Sequence, residues 1–327
     1  MARVFLTGAT GFVGSFVAKT LCDDGHEVHC LVRKSSNLRW IRLLPCQFVE
    51  GTLVEPESYR DSLKKVTHII HVAGVTKSAN ADGYYRGNFE ATRQLYETAR
   101  AVNPALERFL FVSSQAAVGP TPPGSIGDET IPYRPLTDYG RSKMMAEQWL
   151  KEKNGLLPLT IVRPPAVFGP RDTDVLHFFK NLNKGWNIKV GNIDQLVSIV
   201  YVEDLARGIV DATFSSATAN QTYFLADPQP YLWSEFTKIT ANILKVKYRT
   251  LKIPYRMAYL VAAVIEWMAK ITGKPTILNR QKMWEVAQPN WAVSVNKAIQ
   301  DFGYHTQFSL EEAVRKTLDW YRDNNWI

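Results

Sequence analysis

The chain has 327 residues, with 39 Lys and Arg against 31 Asp and Glu for a formal charge of +8; 46% of its residues are hydrophobic and 21% charged. That balance excludes collagen-like, low-complexity and disordered chains and leaves one large or two modest globular domains. Three cysteines (Cys22, Cys30, Cys46) are too few for a disulfide framework and match no zinc spacing, so a reducing, cytoplasmic setting and no metal site are expected.

In chain order, Arg3–Thr7 opens a strand pattern at once, so no secretory signal is expected ahead of it. A helical stretch near 12–24 follows, then strands Glu27–Val32 and Gln47–Glu50 and a helix near 56–64. Strand His68–Val72, a helix near 85–102, strand Phe109–Ser113, a helix near 138–153 and strand Thr160–Arg163 complete the first half. The strands are apolar and β-branched rather than alternating, as strands covered on both faces should be. Their alternation with helices predicts an α/β fold with a doubly wound parallel sheet. Gly119–Pro135, rich in Pro, Gly and Ser, reads as a long loop, and such loops are often functional.

After Arg163 the rhythm changes at Pro164, Pro165 and Pro170. Ile199–Phe214 is expected to return to the first domain as a strand and helix, and from Thr222 the chain reads as mostly helical and rich in Trp and Tyr. Residues 1–165 with about 199–220 then form one domain, and 166–198 with 221–327 form a substrate-binding lobe. No internal repeat is present.

Val4–Gly14 reads as strand, glycine-rich turn, then helix. Gly8 permits the tight turn, Gly11 lets backbone N–H groups approach a pyrophosphate, and Gly14 lets the helix pack on the strand. Thr10, Phe12 and Val13 complete the turn and open the helix, whose N-terminus supplies a positive dipole end. The bland alternative is a surface turn, but the position after a buried strand in an α/β pattern favours a dinucleotide. An acid at the end of the second strand would bind ribose hydroxyls. Here Arg33, Lys34, Ser35 and Ser36 follow instead and suit a 2′-phosphate, so NADP(H) is favoured, with NAD(H) the alternative. As a merely exposed basic turn, these residues would select nothing.

Tyr139 and Lys143 stand four residues apart, on one face of a helix. A nearby cation favours phenolate, which predicts that Tyr139 exchanges protons below its free pKa of about 10. Ser114, at the end of the fifth strand, is placed to hydrogen-bond a substrate oxygen. Tyr248 and Lys252 repeat the spacing far from any glycine-rich turn and are expected to be structural.

Thr7–Gly14, Ser114–Gly119, Tyr139–Lys143 and Arg163–Arg171 together resemble the extended short-chain dehydrogenase/reductases, also called the NAD-dependent epimerase/dehydratase family, over essentially the whole chain. The resemblance implies a Rossmann-type domain with a Ser114–Tyr139–Lys143 triad: Tyr139 as acid/base, Ser114 orienting the carbonyl, Lys143 holding the nicotinamide ribose. It also implies cofactor contacts from Ala73 and Gly74 after His71-Val72, a helix asparagine at Asn88, and Pro164–Val167, with Pro165 and Val167 among them, along the nicotinamide. Thr52 and Leu53 stand where the family commonly has an adenine-binding Asp, a departure from its pattern. His68, His71 and Cys46 are expected to be packed, with no metal role.

Gln115 and Ala116 replace the Asp-Glu that the family's dehydratases carry, which argues against dehydration. Val197 and Ser198 stand where its epimerases keep a pyrophosphate-clamping arginine, and a second clamp is missing around Gln288–Trp291. The C-terminal run Asn290–Ala298, with Phe302-Gly303-Tyr304 and Trp320-Tyr321, is similar to the 3β-hydroxysteroid dehydrogenase and dihydroflavonol reductase-like branch, which implies a hydrophobic alcohol or ketone. The rivals are a nucleotide-sugar 4-epimerase holding NAD tightly and a non-catalytic NADP sensor. The resemblance also implies a homodimer through the helices of 85–102 and 138–153.

Charge is unevenly spread. Residues 240–290 hold nine basic groups, Lys270 and Lys274 among them, against Glu266 and Glu285, so this window carries +7 of the +8. Within it Pro254–Ile271 is a helical stretch apolar over most of its circumference, flanked by Arg256 and Lys270 and bearing Trp267. Its longest near-apolar run, Met257–Ile265, is about half of the ~20 residues a membrane crossing needs, so no span is expected. It reads as a lid, as an interfacial helix by which 253–285 meets an anionic membrane, or as a core helix with snorkelling basic ends. No nucleic-acid module is expected, because the basic residues lack a groove-reading motif.

Overall fold

A computed structural model describes residues 1–153, 155–272, 276 and 278–327; Lys274 and the Lys270 side chain lie outside the described residues. The first half contains β1 (Arg3–Thr7), α1 (Phe12–Asp23), β2 (Glu27–Val32), β3 (Gln47–Glu50), α2 (Arg60–Leu63) and β4 (His68–His71). It continues with α3 (Ala81–Tyr84), α4 (Ala91–Val102), β5 (Arg108–Val112), α5 (Asp138–Glu152) and β6 (Leu159–Arg163). These six strands fall within one residue of their sequence-predicted ends. The helix expected near 56–64 is interrupted at Tyr59, and the one near 85–102 begins in a π-helical turn over Tyr85–Glu90.

Beyond β6 come β7 (Ala166–Phe168), α6 (Leu176–Asn183), β8 (Trp186–Val190), β9 (Leu196–Val197), β10 (Ile199–Tyr201) and α7 (Val202–Phe214). Then follow β11 (Gln221–Phe224), β12 (Tyr231–Leu232), α8 (Trp233–Leu244), β13 (Arg249–Ile253), α9 (Tyr255–Thr272), α10 (Arg280–Val286), β14 (Asn290–Trp291), α11 (Asn296–Phe302) and α12 (Leu310–Asp323).

Seven strands form one parallel sheet in the order β11-β6-β5-β4-β1-β2-β3. The strand pleat divides its core in two. Val4, Leu6, Ile70, Leu110, Val112 and Val162 face one apolar cluster, while Phe5, Ile69, Phe109, Phe111, Leu159 and Ile161 face the other. The inner strands β1, β4, β5 and β6 are buried along nearly their whole length because successive residues meet covered faces, whereas the edge strand β3 is largely exposed. Connections run outward from β1 to β3 on one side and from β4 to β6 on the other. The order reverses between β1 and β4, and a crevice forms there at the strands' C-terminal ends.

Two expectations change in the second half. Ile199–Tyr201 pairs with β7 in a separate two-stranded ribbon, although α7 does return to pack on α1. The large sheet's seventh strand is Gln221–Phe224, which the boundary expected near 220 had assigned to the lobe. Tyr223 and Phe224 are fully buried there against the β6 edge. Four residues with no alternation give a sequence pattern too little to work with. Tyr248 and Lys252 also part company: Lys252 lies on strand β13, where residues four apart stand about 13 Å from one another. No helix among the described residues is long and apolar enough to cross a membrane.

Candidate active site

The glycine-rich turn sits at the sheet crossover. Gly8 has φ 80°, and a Cβ there would come within 2.6 Å of the Ala73 nitrogen; a Cβ at Gly14 would lie 2.1 Å from the Gly8 carbonyl oxygen. The turn closes by the Gly11 N–H donating to Gly8 O (2.9 Å), and Gly11 then caps α1. No side chain caps that helix and its first turn holds no acid. An open, uncapped N-terminus approached by bare backbone is what a dinucleotide pyrophosphate requires, so these residues fit the group. Thr10, Phe12 and Val13 are half-buried around it.

The remaining cofactor candidates follow the C-terminal ends of β2, β3, β4 and β6. Arg33, Lys34 and Ser35 are exposed after β2, in a turn closed by Ser36, and no carboxylate pairs with either cation among the described residues. The Thr52 N–H donates to Ser58 Oγ (3.1 Å), and Leu53 packs on the second core cluster. Ala73 follows β4, and Gly74 lies against the Asn88 amide and the Lys143 ammonium. Pro165 and Val167 are half-buried where β6 gives way to β7.

Asn88 lies in the π-helical turn and is fully buried. Its Oδ1 accepts from Val75 N (2.7 Å), and its Nδ2 donates to Val75 O (3.0 Å) and Ser142 Oγ (2.9 Å). That turn therefore braces the loop after β4 against the helix carrying Tyr139. His71, on β4, bonds Thr7 and Thr92 through its two ring nitrogens, and burial pushes it down to about 3, so it is neutral packing as expected.

Ser114, Tyr139 and Lys143 converge at the end of β5. The Thr137 hydroxyl caps α5 by accepting from Gly140 N (3.1 Å). Gly140 lets the helix abut the turn after Ser114, since a Cβ there would lie 2.3 Å from Ala116 O. Tyr139 thus comes beside Ser114; desolvation pushes the phenol up to about 12, the Ser114 hydroxyl opposing the rise and Glu285 and Tyr84 adding to it. The expectation of a phenol held below its free value by Lys143 fails on this geometry. The Lys143 ammonium donates to the Val112 carbonyl (2.9 Å) and lies over the Phe111 ring, 4.7 Å from its centre. Burial brings Lys143 down to about 8, against the opposing charge of Glu147.

Behind the triad, Glu147 accepts from Ser113, Tyr133 and Arg163, all within the interior; Arg163 Nη2 approaches it to 2.6 Å, and the two side chains are 0% and 1% exposed. Several groups at the site have no signal in the sequence. Tyr84 sets its ring edge-on to Tyr139 with centres 6.2 Å apart. Gln281 on α10 grips Asp138, the residue before Tyr139, and Glu285 from the same helix faces the phenol. Gln115 turns away and donates to Trp291 O (2.8 Å), tying the strand end to the C-terminal segment. That segment also holds the long loop: Asn290 donates to Pro122 O and Ser125 O, both at 2.7 Å. Only proximity in the fold, across 143 to 176 residues of chain, brings these partners together.

The chain is 29% identical over 326 residues to a ceramide reductase of Caulobacter vibrioides, covering 99% of this chain and 96% of that one. It is 27% identical over 342 residues to a 3-beta-hydroxysteroid dehydrogenase of Mycolicibacterium neoaurum, covering 99% and 92%. The crystal structure of gox2253 superposes with a TM-score of 0.81 at 27% identity, covering all of both chains. Residues 4–224, from β1 through β11, match the NAD dependent epimerase/dehydratase family. With the crossover crevice, the bare-backbone turn and the Ser–Tyr–Lys cluster in place, the chain belongs to that family of nicotinamide-dependent enzymes, the extended short-chain dehydrogenase/reductases.

Proposed function

We propose that this protein is an NADP(H)-preferring oxidoreductase that reduces a carbonyl, or oxidises the matching secondary alcohol, on an apolar, lipid-like substrate. The observation that carries the reading is the Ser114–Tyr139 pair at the mouth of β5, together with the two positions expected to clamp a pyrophosphate, Val197–Ser198 and Gln288–Trp291, which hold no cation. Bound nicotinamide supplies or accepts the hydride. Ser114 orients the substrate oxygen, and Tyr139 supplies its proton. A phenol raised to about 12 keeps that proton at neutral pH, the form needed to protonate a developing alkoxide, which favours reduction. Lys143 would hold the nicotinamide ribose, beside the loop that Asn88 braces, and Pro165 and Val167 would line the ring.

Support for an apolar substrate comes from the positions where an epimerase would clamp a pyrophosphate. Val197 and Ser198 are buried, the Ser198 hydroxyl accepting from Val293 N (3.0 Å), and Asn290 is spent on the long loop. None of them is a cation. The names of the ceramide reductase and steroid dehydrogenase relatives point the same way. The exposed Arg33-Lys34 turn, with no carboxylate paired to it among the described residues, supports the 2′-phosphate preference. We read residues 85–102 and 138–153 as the homodimer contact, and 253–285 as the part that meets an anionic membrane.

A turnover screen with NADPH and NADH across keto-lipids, ketosteroids, flavanones and UDP-sugars tests this, with Tyr139→Phe as the blank. Reduction of an apolar ketone by NADPH is expected. Turnover of UDP-sugars alone, with nicotinamide retained through purification, would replace it by epimerisation.

A further inference from the structure

One face of α9 has no partner among the described residues. Met257, Leu260, Val261, Val264, Trp267 and Ile271 recur at three- and four-residue spacing along it, and Leu260 and Trp267 are 65% and 63% exposed. A core helix would bury this stripe, and only Ala262 and Ala269 are buried among its described side chains, so the core-helix alternative fails. Exposed apolar patches of this extent mark surfaces that are covered in use.

Charge identifies what covers it. The helix's one acid, Glu266, is bound by Arg280 (3.0 Å), and Glu285 is bound by Lys282 (2.8 Å). Lys245, Lys247, Arg249, Lys252 and Arg256 are all exposed on the approach to α9 or in its first turn, and no carboxylate pairs with them among the described residues. A second copy meeting this face about a two-fold axis would bring the same cations toward each other, which is repulsive. An anionic surface with an apolar interior complements both features.

We infer that α9 beds into the surface of an anionic phospholipid bilayer, its axis in the headgroup plane and its stripe toward the acyl chains. The inference rests on the reading of an apolar substrate, which such a surface would deliver. Two contacts connect the docked helix to the chemistry: Glu266–Arg280 ties α9 to α10, and Gln281 of α10 ties to Asp138 beside Tyr139.

Flotation of the full chain with phosphatidylcholine vesicles and with mixed phosphatidylcholine–phosphatidylglycerol vesicles tests this. At low salt, binding to the anionic vesicles should exceed binding to the neutral ones by about tenfold or more, and added salt should release it. Leu260→Glu/Val264→Glu and Arg249→Glu/Lys252→Glu should each abolish flotation. Both variants should keep the parent's turnover of a water-soluble ketone in vesicle-free buffer. No flotation of the parent, or undiminished flotation of both variants, overturns the inference. So does a loss of soluble turnover in Leu260→Glu/Val264→Glu, which would make the helix a lid, or its conversion to a smaller oligomer, which would make the face a contact between copies. Flotation without turnover of any apolar ketone would sink the substrate reading and leave the docking surface standing.

Discussion

Gln281 and Asp138 exchange two hydrogen bonds: Asp138 N donates to Gln281 Oε1 (2.8 Å), and Gln281 Nε2 donates to Asp138 Oδ2 (2.7 Å). The first turn of the helix that carries Tyr139 is thereby clasped by α10 of the C-terminal lobe. Gln281→Ala should lower kcat/KM several-fold with a small loss of stability, about 1 kcal/mol for the lost bonds. Asp138→Asn, which keeps a side-chain acceptor, should lose less. Steady-state kinetics beside thermal melts would check this; equal activity in Gln281→Ala and parent would show the clasp to be idle.

Tyr139→Phe removes the proton donor while retaining the ring, so kcat should fall by about a hundredfold to ten-thousandfold with cofactor affinity kept. Ser114→Ala should fall less, because it removes an orienting hydroxyl and leaves the acid in place. Cofactor binding followed by nicotinamide fluorescence separates a chemical defect from a binding defect.

Lys143 gives the alkaline limit. The Tyr139 phenol keeps its proton to about 12, but Lys143 loses its charge near 8, so reduction should hold through neutral pH and decline above about 8. Lys143→Arg, charged throughout, should carry that limb upward. The same burial has a stability sign. Lys143 holds its proton less readily folded than unfolded, so below pH 8 the folded chain bears a cost of about 3 kcal/mol that is relieved as pH rises toward the unfolded value of 10.5. Lys143→Met should therefore melt higher at pH 7 and be inactive. A lower melting temperature would refute this.

Glu147→Gln leaves the Arg163 charge buried without its counter-ion and should destabilise by about 3–5 kcal/mol. Glu147→Gln/Arg163→Met, which removes both charges, should recover much of that loss. Urea denaturation of the single and double variants measures it, and additive losses would show that the two charges do not act as a pair.

Arg33→Asp with Lys34→Gly places an acid at the end of β2 and should invert cofactor choice toward NADH. The ratio of kcat/KM for the two cofactors is the readout. An unchanged ratio would overturn the reading that Arg33 and Lys34 select the cofactor.

The legible part of this protein was the part with short-range rules. Bare glycines at 8 and 14 and apolar strands follow from local geometry and pointed to the parallel sheet and its dinucleotide turn, whereas the Tyr139–Lys143 spacing recurs at Tyr248 and Lys252, so it took the family resemblance to single out Ser114, Tyr139 and Lys143. The short strand Gln221–Phe224 was not legible, because four residues that pair only with β6 carry no period of their own. Gln281, Glu285 and Tyr84 were equally silent, since nothing near them in the chain marks what they touch.

The sequence by itself determined which residues could do chemistry: a phenol, a hydroxyl and an ammonium at the ends of buried elements, with a basic turn where cofactors are told apart. Only the tertiary structure decided their electrostatic state and their surroundings. Spacing suggested that Lys143 would draw the phenol down. Folding spends that ammonium on Val112 and buries the phenol, so desolvation wins and Tyr139 keeps its proton. The apolar helix of 255–272 divides in the same way. Its composition was plain from the residues, but whether the apolar face turns inward depends on which elements pack against it, and packing is a property of the whole fold.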